Sequence, residues 1–197
     1  MKKNILLQSF TVILLILSVF SCTTTKPRIV IAPDTITNPS FVYQQIPIVL
    51  NVSDLRTSRH IIQILKDNKA AELINSTAAL DDILKVKFTQ LFKQQGLVIN
   101  ENAPTKLDII MSKALITVKQ GLVKYKANSE IIIQVKVHTS TDILTKSFRI
   151  RGNSNGPFKA DIAVLSRDFN QQLAQLIEQI VNDNELQTFI TKHINTQ

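Results

Sequence analysis

The chain has 197 residues, a net charge of +8 and a single cysteine. One cysteine excludes an intrachain disulfide framework and a multi-thiolate metal centre. The length suits one domain and a short accessory segment, with enough chain to bury a core.

Met1-Lys2-Lys3-Asn4 is a short positive start, and Ile5 to Phe20 is mostly apolar. The run is short for a bilayer-spanning helix, which needs about 20 residues. It fits the hydrophobic part of a secretion signal. The run ends on Val19-Phe20-Ser21-Cys22. This resembles the lipobox of bacterial lipoproteins, with Phe20 bulkier than usual at its place. Residues 1–21 are therefore expected to be cleaved, leaving Cys22 as an N-terminus that carries N-acyl and S-diacylglycerol lipid. Several acyl chains together hold a protein at a membrane, where one alone holds only marginally. Thr23 follows, where an Asp would mark inner-membrane retention, so the outer membrane is the expected address. Residues 22–45 contain Pro27, Pro33 and Pro39. They read as an extended tether of at most roughly 75 Å, with a short strand over 28–32.

Residues 46–197 read as one domain. Ile48, Leu50 and Val52 alternate with Val49, Asn51 and Ser53, which predicts a half-buried strand. Strands over 60–66 and 70–75 flank Asp67-Asn68-Lys69, a hairpin turn. Leu80, Ile83, Leu84, Phe88, Leu91 and Phe92 recur at helical spacing. Ser76 or Thr77 would cap that helix, Asp81 and Asp82 would sit in its first turn, and Gly96 would follow its end. Asp81 and Asp82 are adjacent on a helix, so they diverge and make a poor acid/base or metal pair.

Residues 107–119 predict a strand whose apolar phase slips, which a bulge near Ser112-Lys113 would reconcile. Gln120-Gly121 turns the chain into a long period-two strand from Val123 to Val137. After a turn at 139–142, Leu144, Phe148 and Ile150 continue the sheet. Gly152–Gly156 and Pro157 are expected to end it. A second long helix carries Ile162, Leu165, Phe169, Leu173, Leu176, Ile177 and Ile180, and Asp183 starts a short third one. The expected class is α+β: a two-layer sandwich, with an antiparallel sheet of about five to six strands and two main helices on one face.

Several short stretches now stand in a fixed order behind the lipobox: Asp54-Leu55-Arg56-Thr57, Val118-Lys119-Gln120-Gly121-Leu122-Val123-Lys124-Tyr125, Gly156-Pro157-Phe158 and Phe189-Ile190. In that order they resemble the YajG-type family of bacterial outer-membrane lipoproteins over residues 45–192. The resemblance implies an address and a fold, and no established activity.

Two groups of residues are candidates for partner or anion binding. Asp54, Arg56, Thr57 and Arg59 follow the first long strand. Arg56 either forks onto a phosphate or carboxylate of a ligand or pairs locally with Asp54 in a structural turn. Lys124, Lys126 and Lys136, with Arg149 and Arg151 beside them, fall opposite the core on the sheet. That face either meets anionic lipid, lipopolysaccharide or peptidoglycan, or is an ordinary solvated face. His60, His138 and His193 lack metal-ligand spacing, and there is no G-x-S-x-G or Gly-rich phosphate loop.

No metal, organic cofactor or nucleic-acid partner is expected. The sequence predicts a non-enzymatic accessory protein, anchored through its lipid and docking on an envelope protein. The alternative is a binding module for an anionic envelope component, and a hydrolase with an unrecognised site is the third reading.

Overall fold

The computed structural model of the protein describes residues 27–36 and 38–192. The expected signal 1–21, the lipobox with Cys22, Thr23 and His193 lie outside the described residues. In chain order the elements are β1 (Arg28–Ile29), β2 (Pro47–Asp54), β3 (Ile62–Lys66), β4 (Glu72–Ser76), α1 (Leu80–Gln94), β5 (Val98–Ile99), β6 (Thr105–Gln120), β7 (Lys124–His138), β8 (Ile143–Pro157), α2 (Ile162–Val181) and α3 (Asn184–Lys192).

The spine is β6. Along one edge β7 pairs with it antiparallel, from Lys106↔His138 to Gln120↔Tyr125, and β8 pairs antiparallel with β7. The register shifts between Met111 and Lys113, so Ser112 is the extra residue of a bulge at the expected place. The bulge returns Leu107, Ile109, Met111, Ala114, Ile116 and Val118 to one buried face.

The other edge of β6 corrects the expected antiparallel sheet. There β2 pairs with its first half and β3 with its second, both parallel. The sheet is mixed, with eight strands among the described residues, and β1 and β5 also pair parallel with β4 and β2. The physical reason lies in the connections. Residues 55–61 carry the chain straight on along β6 without reversing it. The route from β2 to β6 passes through α1, a helical crossover of the kind that leaves strands parallel. Only the tight turns reverse the chain: β3–β4, β6–β7 and β7–β8 are antiparallel. The α+β class with its main helices against the sheet is as expected, whereas the sheet curls into a half-barrel and has more strands than the expected five to six.

The helices follow their patterns. Leu80, Leu84, Phe88, Leu91 and Phe92 of α1 are buried. Ala79 occupies its N-cap and no side chain caps it, which corrects the expected role of Ser76 or Thr77. Asp81 and Asp82 lie in its first turn, and Gly96 takes φ +90° just past its end, where a side chain would be strained. The Asp161 carboxylate accepts from the Ala163 N–H at the start of α2. Asp183 accepts from the Leu186 N–H at 2.9 Å and from Lys146 Nζ at 2.8 Å, which ties α3 to β8.

Two further expectations are corrected. The β8 strand does not stop at Gly152 but runs on to Pro157. Its glycines sit where a neighbour comes close: a Cβ at Gly152 would collide with the Gln172 amide, and one at Gly156 would lie 2.9 Å from the Tyr125 ring. The expected tether 22–45 is also largely laid on the domain. Ile29, Ile31 and Tyr43 are buried in the core. Asn170 of α2 clamps the passing strand, receiving the Ala32 N–H and donating to the Val30 carbonyl. The Tyr43 and Gln45 N–H groups donate to the carbonyls of Gln95 and Gly96. Proline-rich chain reads as linker, but here its backbone groups find partners just past the end of α1 and along α2.

Candidate functional site

The strand β2 ends on Asp54, and the parallel ladder on that edge of β6 resumes only at Ile62. Arg56 fills the interval. Its Nε and Nη2 fork onto the two Asp54 oxygens at 2.9 and 2.8 Å, and its Nη1 donates to the carbonyl of Ala114 at 3.2 Å, just past the bulge. The Asp54 side chain is fully buried and that of Arg56 is 4% exposed. Burial pushes the Asp54 carboxyl up, but the hydrogen bonds and charge of Arg56, with Arg59, outweigh it and hold it below the ordinary carboxylate range. Arg56 is thus a plug in the sheet edge, satisfying a carbonyl that the interrupted ladder leaves open. Its guanidinium is spent on internal partners. Arg59 reaches Asp54 at 3.2 Å with its own side chain largely exposed, and Thr57 lies exposed in the loop. Of the four residues singled out here, Arg59 and Thr57 face solvent.

On the outer face of β6–β8, opposite the helices, the strands bring Arg149 and Arg151 together with two residues the sequence reading did not single out, Lys113 and Glu130. The Glu130 carboxylate receives Lys113 Nζ at 2.6 Å and Arg151 Nε at 2.7 Å, with Arg149 Nε at 3.5 Å. Lys113 is brought here by the bulge, and Arg151 stands directly opposite Glu130 in the ladder. The hydrogen bonds from Lys113 and Arg151, and then their charges, bring the Glu130 carboxyl down to about 2. A depressed carboxyl stabilises the fold fully above its ordinary pKa and loses that contribution as the pH falls through its folded value. NMR titration of the side-chain carboxyl is therefore expected to find Glu130 ionised until the pH nears about 2. A midpoint in the ordinary glutamate range would dissolve the cluster.

The other expected cations separate from this group. Lys136 lies toward the far end, beside Asp108 in the ladder, where Asp108 also meets His138 at 3.2 Å. Lys124 and Lys126 lie at the opposite end, where the β6–β7 hairpin stops. The basic face is thus two unlike regions, a balanced cluster around Glu130 and a lysine-rich hairpin end. Charge alternation in the sequence shows which residues share a face, but not that Glu130 would be the hub of three cations.

At the hairpin end Leu122, Val123 and Phe158 are 101%, 72% and 72% exposed. Phe158 adopts φ 61°, a left-handed backbone that costs a non-glycine residue of order 1–3 kcal/mol. It is held on both sides. Its N–H donates to the Val123 carbonyl at 2.7 Å, its carbonyl receives Gln120 Nε2 at 2.8 Å, and Gln120 Oε1 receives the Ala160 N–H at 2.9 Å. Two stretches far apart in sequence, 118–125 and 156–158, therefore form one feature. Tyr125 is the hinge between them, with its ring lying over Gly156.

An open groove of about 900 Å³ runs beside β1 along α2, where Ser166, Asn170 and Glu178 donate to or accept from the backbone of residues 30–36. Among the described residues no group of three or more His, Cys, Asp or Glu side chains gathers as a metal site. No helix among them is long and apolar enough to cross a membrane.

With this geometry in place, a family model described as "Uncharacterized lipoprotein" matches residues 33–191, nearly the whole described fold. The chain belongs to the YajG-type lipoprotein family. The YajG lipoprotein of Escherichia coli strain K12 is 26% identical over 153 residues, covering 75% of this chain and 77% of that protein. The same figures hold for YajG of E. coli O6:H1. In three dimensions the chain is similar to protein XCC0632 from Xanthomonas campestris, at a TM-score of 0.60 and 15% identity, covering 83% of this chain and 97% of that one. That likeness shows a shared fold. In this chain Asp54-Leu55-Arg56-Thr57 holds the edge plug, and Gln120–Val123 and Gly156–Phe158 build the clamped hairpin end.

Proposed function

We propose that this YajG-type chain is a non-enzymatic accessory protein held at the outer membrane by lipid on Cys22, and that it docks an acidic surface of an envelope protein. In this reading residues 1–21 are removed, and Thr23 directs the mature chain to the outer membrane, with the domain in the periplasm. The observation that carries the docking surface is the cluster around Glu130. One carboxylate holds three cations in place at once, while the Arg149 and Arg151 side chains remain 52% and 67% exposed. Guanidinium groups already fixed in direction lose less freedom when they meet a carboxylate. The Asp54–Arg56 pair no longer supports a ligand-binding role, since Arg56 is occupied within the fold.

The test is cross-linking in intact cells followed by affinity purification. Wild type is compared with Arg149→Glu/Arg151→Glu and with Cys22→Ala. One envelope protein recovered with wild type and lost with the charge reversal is expected. Unchanged recovery after the reversal removes this face from the interface. The second reading, a module for lipopolysaccharide, anionic lipid or peptidoglycan fragments, rests on the same exposed guanidinium groups. It gains if the reversal abolishes salt-sensitive binding of such a component while no protein is recovered.

A further inference from the structure

We propose that the hairpin end of the sheet is a membrane-contacting tip: Leu122, Val123 and Phe158 enter the headgroup region of a bilayer, and the surrounding lysines meet its anionic headgroups. The proposal rests on the anchoring reading above and adds to it an orientation of the domain.

Three independent observations converge. The first is apolar: three large side chains stand exposed side by side at a strand end, linked through the Phe158 N–H and the Val123 carbonyl. Single exposed apolar residues need no explanation, whereas a contiguous group on a soluble surface marks a contact site. The backbone strain at Phe158, fixed by the two-sided Gln120 clamp, holds that ring outward rather than letting it fold back onto the sheet.

The second is charge. Lys119, Lys124, Lys126 and Lys159 are exposed immediately around the three apolar side chains. The neighbouring β3–β4 turn lies at the same end, since Lys66 stands opposite Gln120 in the ladder, and it is charge-balanced, with Lys66 paired to Glu72 at 2.8 Å and Lys69 against Asp67. Apolar residues set among lysines match the interface of an anionic bilayer, where the hydrocarbon takes the former and the headgroups the latter. A purely apolar protein groove would offer those lysines no anionic group.

The third is the place where the chain enters the fold. From Glu72 to Ser76, β4 runs away from the hairpin end, because Glu72 pairs with Ile64 and Ile64 with Val118. Since β1 is parallel to β4, the chain before Arg28 comes from the hairpin side. Arg28 is opposite Asn75, about six residues along the strands from the tip, or about 20 Å. Residues 22–28 fully extended span about the same distance. The lipid on Cys22 and the tip can therefore lie in one plane.

The test uses the processed, acylated chain beginning at Cys22, floated with vesicles of phosphatidylethanolamine and phosphatidylglycerol. Acylation occupies Cys22, so Leu122→Cys carries the one reactive thiol and accepts a polarity-sensitive fluorophore. Ile143→Cys, an exposed apolar position beside the β7–β8 turn at the opposite end, is the control. A quencher attached to the lipid tails is expected to quench the label at 122 several-fold more than the label at 143. Adding Lys119→Glu and Lys124→Glu is expected to remove that difference while the chain still floats. A chain that floats with both labels equally quenched, or with the label at 122 left bright, overturns the tip contact and leaves the anchoring intact. A chain that does not float overturns both.

Discussion

Replacing Arg56 with alanine is expected to destabilise the fold by about 3–5 kcal/mol, the cost of leaving one partner of a buried pair alone. The substitution strands the fully buried Asp54 carboxylate and frees the carbonyl of Ala114. Urea unfolding of wild type and variant reads the effect directly. The pH dependence separates this account from a simple packing loss. In wild type the depressed Asp54 carboxyl contributes stability above its unfolded pKa and loses it as the pH falls through the folded value. In the variant the same buried carboxyl keeps only the largely exposed Arg59 and the residue-56 backbone N–H, so its pKa rises from the depressed wild-type value and acid costs the variant less than it costs wild type. The gap between the two proteins is expected to close as the pH drops. Asp54→Ala/Arg56→Ala is expected to recover part of the loss, as coupled neighbours do. An Arg56→Ala protein of wild-type stability would return Arg56 to the list of ligand-binding candidates.

The second large effect is expected at Tyr43. It is fully buried, with its ring edge-on to Phe92 at 6.4 Å between centroids. Burial, with the charge of Asp183 nearby, pushes its phenol up, so the ring is neutral at any physiological pH. Tyr43→Ala is expected to cost about 3–5 kcal/mol, as for other large aromatic truncations in a core. Tyr43→Phe is expected to cost far less, because the hydroxyl has no hydrogen-bond partner among the described residues. Thermal unfolding measures the difference, and limited proteolysis locates it. Cleavage in Tyr43→Ala is expected first within residues 38–46, where the chain loses its hold on the end of α1. Equal protease resistance in the two proteins would mean that this segment does not depend on its aromatic anchor.

The sheet was legible where side chains alternate and illegible where partners are chosen. Period two put Ile131, Ile133, Val135 and Val137 on one face, and all four are buried. The phase slip at Ser112 announced the bulge, since a slip moves every later side chain to the other face. The same alternation looks identical whether a strand's neighbour is parallel or antiparallel, so the pairing of β2 and β3 with β6 was hidden. The second half of β8 was hidden too. Its Gly, Asn and Ser residues carry no apolar period, and its glycines answer to Gln172 and Tyr125 across space. The plug at Arg56 was visible as a local pairing with Asp54, but the carbonyl of Ala114 lies 58 residues away. The hub at Glu130 depends in the same way on Lys113, 17 residues distant across the bulge.

The docking of residues 28–36 and 40–46 also sets how crowded the domain makes its own surroundings. On the proposed reading that lipid on Cys22 anchors the chain, a leash running freely from Cys22 to residue 45 reaches roughly 75 Å, while one that ends at Arg28 reaches about 20 Å. The effective concentration of a tethered domain falls as roughly the 3/2 power of its leash length, so shortening the leash from about 23 residues to about 6 raises its local concentration against anything in the same bilayer about seven-fold. For a surface that binds weakly, such confinement raises occupancy without any new contact. On that reading the same confinement restricts the domain to partners that lie within a few nanometres of the membrane.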